Sequence, residues 1–131
     1  MASVELPGIE PLEVFRLGGP LTVFRITKSD QPDDDALLDS FKSNYELGRK
    51  PRRAEIKSTP VHMGISVYLA LERAADLARA LPQIGEYVAR VELRPEIGAA
   101  FALTAEPGHL TVWGRPLQLR AAIADIVPVG G

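Results

Sequence analysis

Apolar and polar residues alternate over residues 86–93: Tyr87, Ala89, Val91 and Leu93 fall on one side, and Glu86, Arg90 and Glu92 on the other. A period of two marks a strand with one face against a core. Residues 12–17 and 21–27 read the same way, separated by a Gly18-Gly19-Pro20 turn. In the second run Leu21, Val23 and Arg25 share one face, and Phe24 and Ile26 the other. Residues 61–68, 99–104, 109–113 and 123–127 are further strand candidates.

Two stretches change to helical spacing. Pro32 and the acidic run Asp33-Asp34-Asp35 suit a helix start, and Leu37, Leu38, Phe41 and Tyr45 recur every three or four residues, so a helix is predicted over 33–47 with Gly48 just past its end. A second helix is predicted over 69–81, with Val67, Leu71, Ala74, Ala75, Ala78 and Leu81 on its buried side and Glu72, Asp76 and Arg79 on its wet side. Pro82 and Gly85 end it, and a short helical turn over 117–122 follows Gly114-Arg115-Pro116. Residues 1–11, with Pro7 and Pro11, read as an extended arm, lying on its own domain or gripping a partner subunit. The predicted order, β-β-α-β-α-β-β-β-(α)-β, lacks regular βαβ alternation. The expected fold is therefore α+β: one domain over residues 12–129, with a mixed, mainly antiparallel sheet and two main helices.

Composition narrows the chemistry. With 131 residues, 46% hydrophobic and 24% charged, the chain can bury a sufficient core without disulfides or metal. It has no cysteine, which removes thiol nucleophiles and thiolate metal sites, and its two histidines, His62 and His109, argue against a histidine metal site. A net charge of −2 disfavours bulk nucleic-acid binding. The absence of a basic, apolar leader and of any long apolar run points to a cytoplasmic protein with no membrane span. No P-loop, G-x-G-x-x-G, H-E-x-x-H, EF-hand loop or G-x-S-x-G elbow occurs.

Four places carry candidate chemistry. Arg25 sits in an otherwise apolar strand, where a guanidinium needs an anion or an edge position. Arg49, Lys50, Arg52 and Arg53 form a basic loop that suits phosphate or only water. His62, Gly64, Ser66 and Tyr68 alternate on one strand face, as do His109, Thr111 and Trp113 on another, while Leu110 and Val112 point inward. The two polar faces suit opposite walls of a ligand cleft, or an edge-strand surface and ordinary packing. Glu106, in the turn before His109, is the nearest acid to that cleft and a weak candidate for catalysis.

The segments Phe24-Arg25-Ile26, Gly64-Ile65-Ser66-Val67-Tyr68 and Gly108-His109-Leu110-Thr111-Val112-Trp113-Gly114 resemble a recurring type of small, uncharacterised bacterial protein, which implies a shared fold and no activity. More distantly, the order resembles ADP-ribosyltransferase-like domains, including RES-type toxins. That resemblance implies an NAD site, with Arg25 on phosphate or ribose and Ser66 or Tyr68 on the later strand; no acid matches the third position cleanly. Three readings follow. The first is a non-enzymatic partner of a bacterial operon (an immunity protein, antitoxin or small subunit) with a protein partner or self-association and no cofactor. The second is an ADP-ribosyltransferase-like domain binding NAD or a related nucleotide. The third is a nucleic-acid module using the basic loop.

Overall fold

The alternation at residues 86–93 becomes a strand at the heart of the structure, because both of its faces find cover. The computed structural model describes residues 2–6, 9–31, 33–43, 46–47, 64–104 and 107–130. The strands are β1 (Ala2–Leu6), β2 (Ile9–Arg16), β3 (Leu21–Thr27), β4 (Ile65–Tyr68), β5 (Tyr87–Leu93), β6 (Ala100–Leu103), β7 (His109–Trp113) and β8 (Ile123–Pro128). Helices α1 (Asp35–Asp39), α2 (Leu71–Ala80) and α3 (Pro116–Ala121) lie between them. The sheet order is β1-β2-β6-β7-β4-β3-β5-β8, and neighbouring strands are antiparallel. The fold is thus α+β with an antiparallel sheet and one substantial helix. Residues 2–6 of the expected arm pair with β2, matching Ala2 with Val14 and Val4 with Leu12.

Strand parity sorts the core into two layers. Val23, Ile65, Val67, Ala89, Val91, Leu93, Leu110 and Val112 face one way and pack with Leu37 and Phe41 from the α1 segment and Leu119 from α3. Ile26, Tyr68 and Val88 face the other way and pack under Ala74, Ala75 and Ala78 of α2. Alanine at all three helix positions keeps the helix close to the sheet. The fully buried valines and leucines each contribute roughly 1.5–3 kcal/mol by leaving water. No described helix is long and apolar enough to cross a membrane.

Three expectations need correction. Among the described residues of the helix predicted over 33–47, the helix spans only Asp35–Asp39, capped by the Asp34 carboxylate accepting from the Ala36 N–H at 2.9 Å. Ser40 interrupts it: its hydroxyl donates back to the Ala36 carbonyl and accepts from the Lys28 N–H. Ser43 and Glu46 then begin a new turn as a capping box, each side chain accepting from the other's backbone N–H, at 3.1 and 2.9 Å. Tyr45 of the predicted stripe lies outside the described residues. The second correction concerns α2, whose predicted buried residues Leu71 and Leu81 are exposed. Leu71 opens the helix, and Leu81, at φ −131°, has already left it. The third concerns residues 61–68, where the strand begins only at Ile65; residues 61–63 lie outside the described residues.

The β8 edge carries its own protection. The Val129 N–H bonds the Glu86 carbonyl at 2.9 Å, so backbone alternation turns the nitrogen of Pro128 away from β5. Proline at that outward position costs no internal bond and removes one donor from an open edge.

Candidate functional site

β4 and β7 are hydrogen-bonded neighbours, with Ser66 opposite Thr111 and Tyr68 opposite His109. The two polar faces predicted to be opposite walls of a cleft are therefore one continuous surface. Ser66, Tyr68, His109, Thr111 and Trp113 share the side of the sheet that α2 covers over β3 and β5. Tyr68 is buried in the α2 core and meets the His109 ring edge-on, with centroids 5.3 Å apart. Thr111 is only 1% exposed. Gly64 precedes β4 beneath this surface. A Cβ there would collide with the Thr111 methyl group and stand 3.0 Å from Trp113 Nε1, so the backbone approach requires glycine.

The sequence reading missed Thr104. It sits beside His109 at the turn end of the β6–β7 hairpin, set by the pairing of Leu103 with Leu110. Its hydroxyl lies 2.9 Å from His109 Nδ1 and 2.9 Å from the Thr111 hydroxyl, and its carbonyl lies 3.1 Å from the same Nδ1. With Nδ1 donating to that carbonyl, the neutral ring carries its proton on Nδ1. That tautomer places the ring's lone pair on Nε2 and leaves the Thr104 hydroxyl to donate to Thr111. A base that activates a hydroxyl must offer it a lone pair. In that tautomer His109 offers Thr104 an N–H, and the group orders the hairpin.

Arg25 lies on the opposite face, in line with Val23. Beyond the single pairing of Phe24 with Tyr68, the β3–β4 ladder is not continued, and the guanidinium fills the opening. Its Nε donates to the Ser40 carbonyl at 2.7 Å and its Nη1 to the Ser66 carbonyl at 2.8 Å. One side chain thus ties β3, β4 and the end of α1 together. At these two contacts the strand arginine meets carbonyl dipoles. Arg25 is close to Ser66 only through the backbone; the two side chains leave the sheet in opposite directions.

Past α2, the face that α2 covers carries a solvated network. Arg90 donates to Asp125 and to Glu92, each at 2.8 Å, and Glu92 accepts from Thr22 at 2.7 Å. The bond and charge of Asp125, with Glu92 beside it, hold the Arg90 pKa above its ordinary value. His62, Glu106 and the basic residues Arg49, Lys50, Arg52 and Arg53 lie outside the described residues. Among the described residues, no three His, Cys, Asp or Glu side chains converge as a metal site.

One end of the sheet is markedly apolar at its surface. Leu69 donates its N–H to the Gly108 carbonyl in the turn of the hairpin and is 44% exposed. Leu103, across β7, is 66% exposed, and Leu71 is exposed nearby at the start of α2. Gly108, at φ +85°, has no described atom within 4 Å of where a side chain would begin. No family model, curated protein or solved structure matches this chain.

Proposed function

We propose that this chain is a non-enzymatic partner protein, of the immunity, antitoxin or small-subunit kind, that receives a protein on the sheet end bearing Leu69, Leu71 and Leu103. The observation that carries the proposal is the contrast between this end and the interior polar groups. Arg25, Thr104, His109 and Thr111 are engaged with the backbone or with one another. Three leucines meanwhile stand in water at one end of the fold, against the usual tendency to bury them. The transferase-like alternative fits less well, because it needs Arg25 to face a ligand shared with Ser66 and Tyr68. The nucleic-acid alternative rests on residues 49–57, outside the described residues.

The double variant Leu69→Ser/Leu103→Ser tests the reading. Bait protein in wild-type and variant form is used to recover partners from the source cells, after melting curves show that the variant is folded. The expected result is one stoichiometric protein retained by the wild type and lost by the variant. Thermal melts with NAD, ADP-ribose and a short RNA form the second arm. A ligand at about 100 times its Kd stabilises by roughly 2.7 kcal/mol. Such a shift with NAD or ADP-ribose overturns the non-enzymatic reading in favour of the transferase-like one.

A further inference from the structure

The two edges of the sheet are built differently. At β8 the nitrogen of Pro128 faces outward, and Ala124 is an extra residue between the Arg90–Asp125 and Val91–Ile123 pairs. A proline and a bulge both discourage the addition of a further strand. β1, at the other edge, contains no proline. Its ladder is also irregular, but there the extra residue belongs to β2: Val4 faces Leu12 and Leu6 faces Ile9. β1 itself stays in step.

Hydrogen-bond alternation fixes which backbone groups of β1 face outward. The Thr104 N–H bonds the His109 carbonyl at 3.2 Å, so Ala102 and Ala100 of β6 turn their backbone to β7 and Phe101 turns its own to β2. Phe101 faces Phe15, whose backbone therefore points to β6, while that of Val14 points to β1. Val14 faces Ala2 and Leu12 faces Val4, so Ala2 and Val4 direct their backbone groups to β2. Ser3 and Glu5 direct theirs away from the sheet, where no described strand takes them. In sequence, the same alternation puts Ala2, Val4 and Leu6 at one parity and Ser3 and Glu5 at the other.

We infer that β1 pairs antiparallel with β1 of a second copy, joining two sheets about a two-fold axis. Backbone direction allows such a ladder to be centred on Ser3, Val4 or Glu5. Centring on Ser3 sets Glu5 beyond the first residue of the other strand. Centring on Glu5 sets two carboxylates directly opposite, which is unfavourable. Centring on Val4 pairs Ser3 of one copy with Glu5 of the other on both sides of the axis. Every outward backbone group of both residues is then used. Each carboxylate residue stands opposite a hydroxyl residue, Val4 meets Val4, and Ala2 meets Leu6. The occupant follows from this match: the strand is complementary to itself in backbone, charge and polarity, as an isologous interface requires. A ladder of 5 residues is short, so dimer and monomer are expected to exchange with concentration. The inference is independent of the leucine surface, which lies on other elements.

Sedimentation of the full chain between about 10 μM and 1 mM tests it, with dimer rising across that range. Ser3→Pro removes an outward N–H and leaves the bonds of Ala2 and Val4 to β2 in place, as Pro128 does at β8. It is expected to stay monomeric throughout while melting like dilute wild type. Ser3→Glu sets like charges opposite at both pairs and weakens the dimer about tenfold. Ser3→Glu/Glu5→Lys makes those pairs opposite in charge and recovers it. A wild type that is monomeric at every concentration overturns the inference. So does a dimer that survives Ser3→Pro, or a charge swap that recovers nothing. Leu69→Ser/Leu103→Ser is expected to dimerise as wild type does; a dimer lost only in that variant belongs to the leucine surface and overturns the pairing at β1.

Discussion

Replacing Arg25 with methionine keeps most of the aliphatic stem and removes the donors that bond the Ser40 and Ser66 carbonyls. The Ser40 and Ser66 carbonyls, now bonded at 2.7 and 2.8 Å, would be left without those partners. Each deprived carbonyl at a half-buried site costs roughly 1–2 kcal/mol, toward the lower end of the usual range because water can reach part of it. The pair therefore costs about 2–4 kcal/mol. For a domain of this size, 1 kcal/mol moves the melting temperature by roughly 3–5 °C, so Arg25→Met is expected to melt about 6–20 °C below wild type. Arg25→Lys retains a charge and a single donor point, and should fall between the two. Scanning calorimetry and urea unfolding measure both variants. A residue held for a ligand gives the opposite pattern: the variant is as stable as wild type, or more so, and loses ligand protection. If Arg25→Met melts within about 2 °C of wild type, the strut described here is wrong.

Two further outcomes are expected. The Asp34 pKa is lowered first by the Ala36 N–H and then by the Ser29 hydroxyl, so the folded carboxylate titrates below its unfolded counterpart. Its stabilising contribution is complete above the unfolded pKa and disappears as pH falls through the folded one; Asp34→Asn should flatten that acid limb in denaturation curves collected from neutral to acidic pH. Gly85 sits at φ +152° with the Thr27 carbonyl 2.5 Å from where a Cβ would be, so Gly85→Ala should lose roughly 1–3 kcal/mol or more in urea unfolding, and wild-type stability would refute the strain.

Much of the fold is legible in residue order because alternation depends only on neighbours. His109–Trp113 forms a strand where its alternation places one, and Leu110 and Val112 point into the core as their parity requires. The long helix was misread because apolar spacing at Leu37, Leu38 and Phe41 outweighed a local signal, the Ser43-x-x-Glu46 capping box, that restarts the chain. The site was harder to read, since its geometry depends on register between distant strands. Arg25 is visibly odd in sequence, but the carbonyls that hold it belong to residues 15 and 41 positions away. Parity correctly divides each strand into two faces. Only the pairing of Phe24 with Tyr68 shows that Arg25 and the side chain of Ser66 leave the sheet on different sides. Thr104 escaped notice because its role appears only once the hairpin aligns Leu103 with Leu110.

The strand order also sets a timetable for synthesis. Thr22 and Glu92 are bonded neighbours across β3 and β5 but lie 70 residues apart in the chain. At about 5–20 residues per second, a ribosome delivers the second strand on the order of 4–14 s after the first. Throughout that interval β3, with Val23, Phe24 and Ile26, lacks the partner that covers its longest edge. Hairpins form within microseconds, so the delay is imposed by topology and not by pairing itself. The nascent protein should accordingly depend on whatever shields an apolar strand in the cell, and its yield should be more sensitive to translation speed than that of a fold whose neighbours are consecutive.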